Sequence, residues 1–270
     1  MRLRLRSSIA SHLALGTMGW LALAFLLLPL IVVIGVSFTE TPYLKFPPQG
    51  FTLKWYAQFF HDTSYMDAFW LSVVLATSAT LLALLLGIPA GLVIMRRSFP
   101  GRQPIAAIFL SPLILPMIVI GVALLQFATV AGFARSFFAL LVGHVVVVMP
   151  YVMRTTMASL HSFDLSIEEA AQDLGATSAE TFFLVTLPQI KPGVVAGGLF
   201  AFITSWINVE VSIFHSRQEF LTLPVKLFNY VQFNIDPLIA AASAVTIYFA
   251  VLAVIVLDMM IGLEKATSRS

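Results

Sequence analysis

Apolar residues fall along this chain in long runs, separated by short stretches where proline, glycine and charge collect. About 30 Å of hydrocarbon at a rise of 1.5 Å per residue needs a helix of about 20 apolar residues. Six segments meet or approach that length: Leu13–Val36, Phe69–Met95, Ile105–Phe127, Phe137–Met153, Val194–Phe214 and Leu238–Ile261. The pattern predicts an all-α membrane protein of six transmembrane helices. Arg2, Arg4 and Arg6 precede the first run as in a signal peptide. That run is too long for an h-region and no small-residue cleavage site follows, so it is expected to be an uncleaved first span. Pro112 and Pro116 interrupt the third run and predict a bent or broken helix there.

With six spans and both termini cytoplasmic, Arg2, Arg4, Arg6, Arg96, Arg97, Arg102, Arg154, Lys191, Lys265 and Arg269 lie inside. Lys45, Lys54, Arg135, Arg217 and Lys226 remain outside, giving ten basic residues against five. The inverted topology reverses this bias, so the positive-inside rule selects cytoplasmic ends. Composition agrees: 59% hydrophobic residues against 10% charged and a mean hydropathy of +0.96 leave too little charge to cover a soluble domain. The chain has no cysteine, which excludes disulfides, thiolate zinc sites and thiol nucleophiles. No basic stripe interleaved with aromatics appears, so no nucleic acid is expected as a partner. A single His144 without nearby acidic or histidine partners makes no metal site; beside Gly143 it suits close packing and a helix–helix hydrogen bond.

Two loops are long. The outer loop Phe38–Tyr65 contains Thr52, placed to cap a short helix whose Trp55, Phe59 and Phe60 anchor at the headgroup boundary. The inner loop Arg154–Pro192 carries Asp164, Glu168, Glu169, Asp173 and Glu180. Within it, Ser166 precedes Glu169 at the spacing of a capping box. Ala170 and Ala171 favour helix with little bulk, so a partner surface can approach. Gly175 permits a left-handed reversal, and Ser178 to Val185 is expected to form a second short helix ended by Pro188. This is a compact helix–turn–helix knob, and a polar knob between spans calls for a protein partner.

Glu169-Ala170-Ala171, then three residues, Gly175, nine residues and Val185-Thr186-Leu187-Pro188 resembles the EAA loop of binding-protein-dependent ABC importer permeases, with Val185 in place of the usual isoleucine. The resemblance runs from about Phe69 to Asp258. It implies the type I permease architecture in a bacterial inner membrane, and a coupling role for Glu169, Ala170, Ala171, Gly175, Leu187 and Pro188. It implies as partners a second homologous permease, two cytoplasmic ATPase subunits and a periplasmic solute-binding protein, beside membrane lipid. No G-x-x-x-x-G-K-[ST] phosphate cradle occurs in the chain, so no cofactor is expected on it and ATP and magnesium belong to the ATPase. The chain is then a non-catalytic subunit: residues 1–66 hold the tail, first span and outer loop, 67–261 the permease domain and 262–270 a tail. Val146–Arg154, Thr186–Gly193 and Thr222–Leu227 further resemble the second permease subunit of spermidine/putrescine-type systems, which implies a polyamine or related small solute. Those permeases commonly carry acidic residues where Ile207 and Asn208 stand, and this sequence departs from them there.

Ionisable groups at membrane depth are costly and mark functional candidates. Glu210 lies in the fifth run, where Ser205, Asn208 and Ser212 share one helical face and Glu210 points elsewhere. These four are the solute-path candidates; Glu210 either meets a cationic solute or reaches water or Arg217 at the helix end. Asp258 is expected near the inner interface. A secondary transporter or channel would instead show paired intramembrane charges or inverted repeats. An intramembrane enzyme would need a catalytic constellation at one depth, and none appears.

Overall fold

The computed structural model describes the backbone of residues 2–261 and the side chains of residues 15–256 and 259. Asp258 and the terminal bases Arg2, Arg4, Arg6, Lys265 and Arg269 have side chains outside the described residues. The chain is helical nearly throughout: α1 Arg2–Val36, α2 Lys54–His61, α3 Thr63–Arg96, α4 Arg102–Leu110, α5 Met117–Val130, α6 Phe137–His161, α7 Ser166–Asp173, α8 Ser178–Thr181, α9 Leu187–Trp206, α10 Ser212–His215, α11 Leu223–Val231 and α12 Pro237–Ile261. Among the described residues, five stretches are long and apolar enough to cross a membrane, and a bent pair, Arg102–Leu113 with Met117–Val130, makes up to six.

That bend, 108°, falls at the two expected prolines. Pro112 sits in a 3₁₀ turn, Ser111–Leu113, and Pro116 caps α5 with an extended ψ of 129°. Neither proline can donate to the preceding turn, so the ladder stops between them. The fifth span differs from expectation at both ends. Its helix does not run from Val194 to Phe214: it stops at Trp206, and α10 is separate. At the other end Pro188 does not end a helix. It stands within helical backbone that runs from Ser178 to Trp206, just after the π turn Phe182–Thr186 that interrupts the regular ladder where its N–H is missing.

Two compact units divide the chain. In the first, which runs to Thr63 and includes Asn229–Tyr248, the outer loop folds on its own aromatics. Phe38 stacks on Phe51 with ring centroids 5.1 Å apart, the Trp55 indole N–H donates to the Thr39 carbonyl at 2.8 Å, and Phe59 is fully buried. Thr52 is not the cap expected of it: α2 has Leu53 at its N-cap without a side-chain bond, and Thr52 Oγ1 accepts only from the Lys54 amide, at 3.1 Å. In the second unit, Ser64–Phe228 and the chain from Phe249, α6 is central. Its Val147, Val148 and Val152 pack with Ala79, Ala83, Ile120, Ala201 and Val211. The α9 backbone comes close to α6 at Gly197, where a Cβ would lie 2.8 Å from Val152 Cα.

Candidate functional site

The polar loop after α6 builds the expected knob by different local devices. α7 begins without a side-chain cap; Ser166 instead donates its amide to Asp164 Oδ1 at 3.0 Å, so the box expected between Ser166 and Glu169 is absent. Asp164 already supplies the acceptor, which leaves Ser166 inside the helix. α7 ends in a Schellman motif: the Gly175 amide bonds the Gln172 carbonyl at 2.9 Å and the Ala176 amide the Ala171 carbonyl at 3.1 Å. Gly175 has φ +95°, and a side chain there would meet nothing within 4 Å of its Cβ, so backbone conformation alone requires glycine. The capping box appears eleven residues later than expected, since Thr177 and Glu180 bond reciprocally. Those bonds, the Thr177 amide first and its hydroxyl second, hold the Glu180 carboxyl below its ordinary range.

A five-residue π-helical turn, Phe182–Thr186, then leads into α9. It aims Thr186 at Glu168, which is buried at 8% exposure. One Glu168 oxygen accepts from Thr186 Oγ1 and the other pairs with Arg96 at the end of α3. The Arg96 guanidinium also lies over the Phe163 ring at 5.4 Å. Burial opposes ionisation of Glu168, but the hydrogen bonds from Arg96 and Thr186 and the Arg96 charge outweigh it, and its carboxyl titrates below 4.5. The ion pair therefore fastens the knob to a membrane helix, while the outward surface keeps Glu169, Ala170 and Gly175 exposed. Leu174 at 90% and Leu184 at 74% exposure add large apolar groups to that surface.

The second constellation lies where the fifth span breaks. Asn208, after α9, accepts from the Val211 amide at 2.9 Å through Oδ1, and its amide nitrogen lies 3.8 Å from Met117 Sδ. His144 of α6 reaches Ser205 at 2.7 Å through Nδ1 and Ser212 at 2.8 Å through Nε2. All four residues are buried, whereas Glu210 is exposed.

A family model described as "binding-protein-dependent transport system inner membrane component" matches residues 83–267. The chain belongs to this permease family. The spermidine/putrescine transport system permease protein PotC of Haemophilus influenzae is 32% identical over 238 residues, 88% of this chain and 92% of that one. The putrescine transport system permease protein PotI of Escherichia coli strain K12 is 32% identical over 230 residues, 83% of this permease and 82% of the relative. Among solved structures, a chain of a bacterial ABC transporter that imports the acidic polysaccharide alginate superposes with a TM-score of 0.72 at 15% identity, covering 95% of this permease and 97% of that chain. The inner-membrane ABC importer permease fold and function are thereby shown.

Within the permease, the structure brings Ser205 and Ser212 onto His144, joins Asn208 to them through Ser212, and leaves Glu210 apart. No Glu210–Arg217 ion pair forms among the described residues. Of the coupling residues, Glu169, Ala170, Gly175 and Pro188 are exposed, and Ala171 and Leu187 half-buried. Sequence reading missed Glu168. Its partner Arg96 is 72 residues away, and adjacency to Glu169 made it look like one more solvated acid.

Proposed function

We propose that this permease forms, with a second related permease, the path for a polyamine or related small solute. Separate cytoplasmic ATPase subunits drive it, binding ATP and magnesium, and an external binding protein delivers the solute. In this reading both termini and the α7–α8 knob are cytoplasmic. The observation that carries it is the knob's form: a helix turned back on itself by Gly175, exposing Glu169, Ala170 and Leu174, and tied at its root to α3 by Glu168 and Arg96. A push on the exposed face is passed to a membrane helix because the root is fixed by charge and by Thr186 together.

The polyamine assignment is supported by relatives named for spermidine and putrescine that span most of the chain. A relative named for molybdenum, from Haemophilus influenzae, covers 60% of it. An exposed Glu210 gives a cationic solute an acceptor.

Gly175 tests the coupling role. In the purified complex, Gly175→Leu should abolish solute-stimulated ATP hydrolysis without altering membrane insertion. Asn tolerates the left-handed conformation, so Gly175→Asn should keep most of the stimulation. Full stimulation in the leucine variant would refute the coupling role.

A further inference from the structure

The hydrogen bonds around His144 have one consistent direction. Ser212 Oγ donates to the Asn208 carbonyl at 2.9 Å, which uses its only proton. Toward His144 it must accept, so Nε2 carries the hydrogen of the imidazole. In a neutral imidazole Nδ1 is then the acceptor, and Ser205 Oγ donates to it. Ser205 belongs to the last turn of α9 and Ser212 opens α10. One ring thus bridges both sides of the break.

The segment between them contains neither proline nor glycine; Asn208 Oδ1, accepting from the Val211 and Ser212 amides, competes locally with the helix, and packing makes room for the break. A Cβ at Gly121 of α5 would lie 2.9 Å from the Glu210 carbonyl oxygen, and one at Gly143 of α6 would lie 2.8 Å from Val211 Cγ1. Two neighbouring helices are therefore hollowed where the broken segment enters them. In a continuous helix the Val209 and Glu210 amides would bond the Ser205 and Trp206 carbonyls. Among the described residues neither amide has a partner. Unpaired backbone at membrane depth is tolerated only inside protein or against water. Glu210 is exposed and Val209 half-buried, so the two amides call for water or a protein partner rather than lipid.

We propose that His144 is a positioning residue that holds the fifth span open at residues 207–211, making there a polar station on the solute path. The station consists of the Val209 and Glu210 amides and the Glu210 carboxylate. It takes a hydrated cationic group: the carboxylate accepts from the ammonium and the amides donate to its water. Asn208 holds the break from within and does not meet the solute, since its oxygen is committed to the Val211 amide. This inference rests on the permease reading and adds to it a residue and a location.

The chain has no native cysteine, so Glu210→Cys supplies its single thiol, and labelling is read on this chain after it is resolved from its partners. Its labelling by a membrane-impermeant maleimide is measured in right-side-out and inside-out vesicles. Thiols react as thiolates, which form in water and not in lipid. With His144 intact, the reporter should label from at least one side. In a His144→Leu background the rate should fall roughly tenfold as the helix closes and the thiol loses water. His144→Gln, whose amide offers an acceptor oxygen and a donor nitrogen, should restore it. If the leucine variant is not recovered, Ser205→Ala with Ser212→Ala decides the matter by the same criterion. No labelling with His144 intact, an unchanged rate in the unpaired backgrounds, or equal slowing by leucine and glutamine would each overturn the proposal. Solute-stimulated ATP hydrolysis by the unmodified complex is measured alongside; its failure would strike the permease reading and leave the labelling comparison valid.

Discussion

Glu168 shows how much one side chain decides here. Ionised, it accepts from both Arg96 and Thr186; neutralising it leaves the Arg96 charge without its counter-ion. Glu168→Gln should therefore cost about 2 kcal/mol of stability, given that Arg96 keeps some access to water, read from chemical denaturation in detergent. The pH dependence has a definite sign. Because the folded carboxyl titrates below 4.5, its stabilisation is complete above that value and is lost as pH falls through the lower folded value. Asp164 and Glu180, held down chiefly by the Ser166 and Thr177 amides, act in the same direction. Glu168→Gln should flatten part of the acid limb of the stability profile, and an unaltered limb would show that the ion pair contributes nothing. Glu210 carries a different prediction. If it meets a cationic solute, Glu210→Gln should raise the half-saturation concentration for spermidine or putrescine transport by about tenfold, the effect of losing one charge-assisted contact. An unchanged value would remove the carboxylate from the path.

At the scale of elements, length and proline placement made most of the spans legible. A run of apolar residues from Phe137 admits only a spanning helix, and Pro112 and Pro116 announce their own bend. The fifth span was not legible in the same way. Asn208 marks its break locally, but the break also depends on His144 and on glycines of two other helices, and no local pattern encodes a contact made across the fold. The knob lies between these cases. Gly175 signalled its turn through a requirement of the backbone itself. The caps shifted because Asp164 competes with Ser166 for the first amides, and Thr177 offers the better box. Topology is testable at this scale. Cysteines placed at Ser166 and Gln218, both exposed, should react with impermeant reagents from opposite sides of the membrane. Reaction from one side would break the six-span arrangement with cytoplasmic ends.

For the whole molecule, the composition leaves the chain unable to act alone in water, and the knob leaves it with a surface that calls for a partner. Exposed Leu174, Phe183 and Leu184 beside the acids of α7 would be a liability on an isolated membrane protein. Against an ATPase groove they become contact area. The α3–α6–α9 packing and the Arg96–Glu168 tie join those helices to the knob; in the proposed function this is the route by which ATP-driven movement of a partner would reach the path. The most direct test is affinity purification of this chain from native membranes in a mild detergent, with the co-purifying proteins identified by mass spectrometry. An ATPase and a second permease should be recovered together, and Gly175→Leu should weaken recovery of the ATPase while sparing the permease. Recovery of the intact chain without any ATPase, under conditions that preserve other transporters of this kind, would contradict the account.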